Sequence, residues 1–153
     1  MSFRISGLPA EPFLHLFALS DAELRHQGAV RKIAEDSGYP CRISLTDAKA
    51  GDEVILVNYE HQGADTPYRS RHAIYVRKGE RRYESAGEIP EQLRKRLLSV
   101  RAFDAEGMMV TADVTEGKML EPLIDKFFVD DQVAYIHLHY ARQGCYAARV
   151  DRA

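Results

Sequence analysis

Residues 53–61 (EVILVNYEH) begin with an acid followed by four consecutive apolar side chains, so both alternating faces of an extended segment are apolar there. That is the pattern of a strand covered on two sides. Residues 72–77 (HAIYVR) read as a second strand. The polar stretch between them, QGADTPYRSR, is too long for a tight hairpin, and loops of that length often carry function. Nearer the N-terminus, residues 3–5 fit a short strand, which Pro9 and Pro12 interrupt. Phe13, Leu14, Leu16 and Phe17 then fall on one helical stripe. Ser20 and Glu23 make a capping box for a helix over 21–27, closed by Gly28. Residues 29–35 fit a strand and 36–40 (DSGYP) a turn. Residues 41–45 alternate, which predicts a strand with Cys41, Ile43 and Leu45 inward and Arg42 and Ser44 on the other face.

Further along, residues 78–87 are charged and read as an exposed turn region. Pro90 suits the start of a helix running through Arg96. Residues 97–103 alternate as a strand, and Gly107 ends a turn into a partner strand at 108–114. Residues 118–128 carry Met119, Leu120, Leu123, Ile124, Phe127 and Phe128 on one face, the clearest helix in the chain. Strands at 133–140 and 145–150, joined through Gly144, form a terminal hairpin. The pattern predicts an α+β fold, a mainly antiparallel sheet of about seven strands with two to four helices packed chiefly on one face. A chain of 153 residues without a linker or repeat is expected to be one domain, 1–153.

Composition narrows the function. No apolar run approaches a membrane span and the first residues lack a secretory core, so a cytoplasmic, non-membrane protein is expected. A net charge of -2 argues against a general nucleic-acid binder. The charge is uneven: residues 69–101 hold ten Lys/Arg against four Glu. Such a segment would dock an acidic partner in a non-catalytic interaction protein, and a homodimer is compatible with it. The two cysteines, Cys41 and Cys145, have no metal-knuckle or CxxC spacing and read as buried small residues. Nucleotide-loop, nucleophile-elbow and HExxH signatures are missing, and no cofactor is expected.

The first candidate chemistry is anion binding by the 59–72 stretch. Arg69 and Arg71 offer planar donor forks for a small anionic metabolite or nucleotide, Tyr68 a packing wall, and His72 a further donor. Arg42 and Arg101 join them if their strands neighbour the loop, and His61 is a candidate proton carrier, because an unperturbed imidazole titrates near neutrality. The opposing expectation is that these arginines are pinned by nearby acids such as Glu60 and Asp65. The second candidate is a metal. His137 and His139 are two apart on a strand and project from one face, with His61, His72 or Glu60 as a third ligand; two half-exposed surface histidines are the plainer expectation. A reactive Cys145 beside that strand is a third, weaker candidate.

Several segments resemble an uncharacterised, mainly bacterial family known only as a domain of unknown function. They are residues 40–45 (PCRISL), 59–61 (YEH), 67–69 (PYR), 74–77 (IYVR), 98–101 (LSVR) and 144–146 (GCY) with Arg149 and Arg152. The resemblance implies a single-domain protein of this length and assigns no catalytic residue.

Overall fold

The computed structural model describes residues 2–36 and 38–153. Among these, nine strands form two antiparallel sheets, and the fold is α+β. The smaller sheet is built from β2 (Ala29–Ile33), β3 (Glu53–Gln62) and β4 (Ser70–Arg77), with β3 in the middle. The larger holds β1 (Phe3–Ser6), β5 (Glu84–Ala86), β6 (Leu97–Phe103), β7 (Met109–Glu116), β8 (Tyr135–Tyr140) and β9 (Tyr146–Arg152), in the order β5-β1-β9-β8-β6-β7. The short β5 lies within the stretch expected to be turn.

The helices divide between the sheets rather than gathering on one face. Helix α3 (Leu120–Phe128) buries Leu120, Ile124, Phe127 and Phe128 in the same core as Val100, Ile136 and Leu138. Helix α2 (Glu91–Arg94) follows Pro90 and adds Leu93 to that core. On the smaller sheet, Leu24 of α1 (Asp21–His26) packs with Ile55 and Ile74. The expected capping box is present: Glu23 N–H donates to Ser20 Oγ, and Ser20 N–H to the Glu23 carboxylate. The segment Glu11–Ala18 is a 3-10 helix, so its period of three buries Phe13 and Leu16 and leaves Leu14 at the surface.

Residues 41–45 do not form the expected strand. The Leu45 N–H donates back to the Cys41 carbonyl (3.1 Å), closing a tight turn, and Leu45 has a φ of 54°. Cys41, Ile43 and Leu45 are buried as the alternation predicts. Arg42 is buried too, at 1% exposure, because the turn aims it into the protein instead of across a sheet face. The turn at 36–40 includes Ser37, which lies outside the described residues. No helix among the described residues is long and apolar enough to cross a membrane.

Candidate metal centre

Strand β8 is covered on both sides. Ile136 and Leu138 enter the core under α3, while His137 and His139 point the other way, towards the smaller sheet. They are 4% and 1% exposed, so they are not the half-exposed surface pair that spacing alone favours. Facing them is His61, from β3. The β3–β4 register shifts between Glu60 and Gln62, which makes His61 the bulged residue. A bulge bends its strand and re-aims a side chain. A second shift, between Leu138 and His139, lies in the β8–β9 pairing. The extra residue there is Ala147 on β9, the strand paired with His137 and His139.

His61, His137 and His139 each offer a ring nitrogen, and the three lie within 4.8 Å of one another. His139 Nδ1 is 2.9 Å from the Gly144 carbonyl. A carbonyl only accepts, so Nδ1 carries the proton and Nε2 is left as a lone pair. His61 Nε2 lies 2.6 Å from His72 Nδ1. Their rings are nearly coplanar and their centroids 4.7 Å apart, so they meet edge to edge. One proton must sit between two such nitrogens. Placing it on His61 Nε2 buries no unpaired donor and leaves His61 Nδ1 as a free acceptor. His61 Nδ1 and His137 Nδ1 are both buried without a hydrogen-bond partner among the described residues. Tyr146 stacks on His61 (5.2 Å) and stands edge-on to His137 and His139 (5.2 and 5.9 Å).

The imidazoles are held neutral. Burial lowers His61 to about 4, assisted by His72 and Arg101. Burial also takes His137 to about 3, with His61, Arg149 and Arg101 adding to it. His139 falls to about 2 by burial, against the opposing bond to the Gly144 carbonyl. His72 is lowered as well, by burial and then by Arg101. Neutral imidazole is the form that ligates metals. Arg101 pairs with His137 across the β6–β8 register and is half-buried. Its Nε donates to Ser99 Oγ (3.1 Å), and no carboxylate pairs with it among the described residues. Arg149, opposite His137 on β9, is satisfied by Asp151 and lies over the Tyr135 ring at 4.2 Å.

The other expected site residues are placed elsewhere. Arg69 is on the surface with Nε donating to the Glu60 carboxylate at 2.8 Å. Arg71 is exposed and binds the side chain and carbonyl of Asn58. Tyr68 packs edge-on against Phe103. These three do not converge on the histidines. Of the residues singled out in the sequence, His61, His72, His137, His139 and Arg101 are the ones brought together. Tyr146 and the Gly144 carbonyl complete the chamber; both lie in the 144–146 segment of the family resemblance, which assigns them no role. Both cysteines are free thiols, Cys41 buried and Cys145 half-buried. The Cys145 sulfur accepts from Arg42 Nη2 at 2.9 Å.

Residues 38–152 match the family described as Protein of unknown function (DUF1203). The chain belongs to that family. No curated protein and no solved structure matches it. The DUF1203 span contains both sheets' contributions to the chamber, from β3 and β4 on one side and β6, β8 and β9 on the other.

Proposed function

We propose that the protein binds a divalent first-row transition metal ion through His61, His137 and His139. An all-imidazole donor set suits zinc or ferrous iron. The observation that carries this reading is the convergence of three buried ring nitrogens within 4.8 Å, two of the histidines having an unpartnered Nδ1. A buried polar atom without a partner has an unmet interaction, and a metal ion takes several lone pairs at once. Three imidazoles leave a coordination position open, and water bound there is acidified towards neutrality. The Arg101 charge acts on all four imidazoles, so the open position favours hydroxide or an anionic group. Anion binding thus finds support through Arg101 and His72, not through Arg69 and Arg71. A docking role for the basic 69–101 segment has less behind it. Arg69, Arg77, Arg82, Arg94, Lys95 and Arg96 are already paired with carboxylates.

Protein purified without a histidine tag, stripped with chelator and offered Zn²⁺, Fe²⁺, Mn²⁺ or Co²⁺, tests this by elemental analysis. One equivalent per chain is expected, lost in His137→Ala and His139→Ala. A folded wild-type protein that takes up none of the four metals sinks the reading.

A further inference from the structure

The chamber shares a wall with a cavity of about 380 Å³, within the size range of small-molecule clefts. His72 lines that cavity and also bonds to His61. Arg42 lines it from the tight turn at 41–45. Its Nε donates to the Tyr146 carbonyl (2.8 Å), Nη1 to the Pro40 carbonyl (2.6 Å) and Nη2 to the Cys145 sulfur (2.9 Å). A guanidinium has five N–H groups, so two remain. Its charge is buried, and no carboxylate pairs with it among the described residues. Taking an ion out of water without a counter-charge is unfavourable.

A second cation reinforces the first. Arg42 and Arg96 lie 5.0 and 5.1 Å from the Tyr140 ring centroid. Arg96 shares its carboxylate, Asp47, with Lys95, so that acid already serves two other cations. Among the described residues, those lining the cavity include no Asp or Glu. Leu56 and Tyr75 supply apolar surface.

We infer that this cavity binds a small organic carboxylate with a flat apolar body, its charge facing Arg42 and its body against Leu56 and Tyr75. The site needs no metal, so failure of metal uptake by the histidines leaves the inference standing.

The test is calorimetric titration of metal-free and zinc-treated protein with benzoate and with its neutral counterpart, benzamide. Benzoate is expected to bind at one per chain in both preparations, at least about tenfold tighter than benzamide. Gln143 lies at the exposed rim. Gln143→Glu adds a repelling charge there without touching the core and is expected to weaken benzoate about fivefold. Arg42→Lys is expected to weaken it about tenfold, since one ammonium cannot serve two carbonyls, a sulfur and a ligand. Should that variant not fold, Gln143→Glu decides. Bound benzoate is also expected to slow alkylation of Cys145 on the cavity wall. Equal affinity for the two probes, no benzoate binding by about 10 mM, or unchanged binding in Gln143→Glu overturns the assignment.

Discussion

His139 gives its Nδ1 proton to the carbonyl of Gly144, 2.9 Å away, and this bond decides which nitrogen faces the other histidines. Such outer partners fix the tautomer and aim of a ligating imidazole. Gly144 holds its place with a φ of 80°. Gly144→Ala is therefore expected to cost about 1 kcal/mol of stability through backbone strain. If the histidines hold a metal, the same change is expected to weaken Zn²⁺ binding by roughly tenfold. Thermal melts and a competitive zinc titration read the two effects separately, and a stability loss with unchanged affinity would show that the carbonyl does not aim His139.

The buried imidazoles also set a pH dependence for the metal-free protein. An unfolded histidine titrates near 6.5, whereas His61, His137 and His139 titrate at about 4, 3 and 2 in the fold. Between those values the unfolded chain binds protons that the native protein excludes. Stability is full above pH 6.5 and falls as pH drops below it, by up to about 1.4 kcal/mol per unit for each group. Urea denaturation from pH 5 to pH 8 is expected to show this slope, and His137→Gln to remove one proton's share. A flat profile would mean that the imidazoles titrate in the fold as they do in the unfolded chain.

The tight turn that delivers Arg42 depends on a close approach at Gly7. A Cβ there would lie 2.2 Å from the Ile43 carbonyl oxygen and 2.8 Å from that of Arg42. Both obstacles are backbone, so neither can swing aside. Gly7→Ala is expected to cost about 3 kcal/mol. Gly63→Ala, whose Cβ would meet only the Glu60 carboxylate at 3.6 Å, is expected to change stability by less than about 0.5 kcal/mol. Denaturation midpoints of the pair test the contrast; equal losses would place the constraint elsewhere.

Strand β8 shows what the sequence makes legible. Alternation separates Ile136 and Leu138 from His137 and His139, and the structure keeps that separation. It does not reveal that the polar face is buried, because the cover comes from His61 and His72, far away in the chain. A bulge such as the one at His61 has no apolar period, so the aim of that side chain is invisible as well. Arg42 fails for a different reason: a short alternating run fits a strand and a tight turn equally, and the turn is decided by packing against Gly7. Arg69 shows the opposite: pairing with Glu60, nine positions earlier and across the hairpin, is one of the two expectations its residue type allows, and it is the contact the fold makes.

Arg101 is the remaining lever on the chamber. It is a half-buried cation with no acid partner among the described residues, and it disfavours any positive charge among the imidazoles. A divalent ion faces the same repulsion unless an anion comes with it. Arg101→Met removes the charge while keeping much of the apolar stem. It is expected to tighten Zn²⁺ binding by roughly tenfold in weakly coordinating buffer, the effect of about 1.4 kcal/mol of relieved repulsion. It is also expected to abolish any gain in affinity from added phosphate or acetate. Zinc titrations of both proteins with and without those anions make the comparison. Weaker zinc binding in Arg101→Met, with the anion effect intact, would show that Arg101 supports the site in some way other than by its charge.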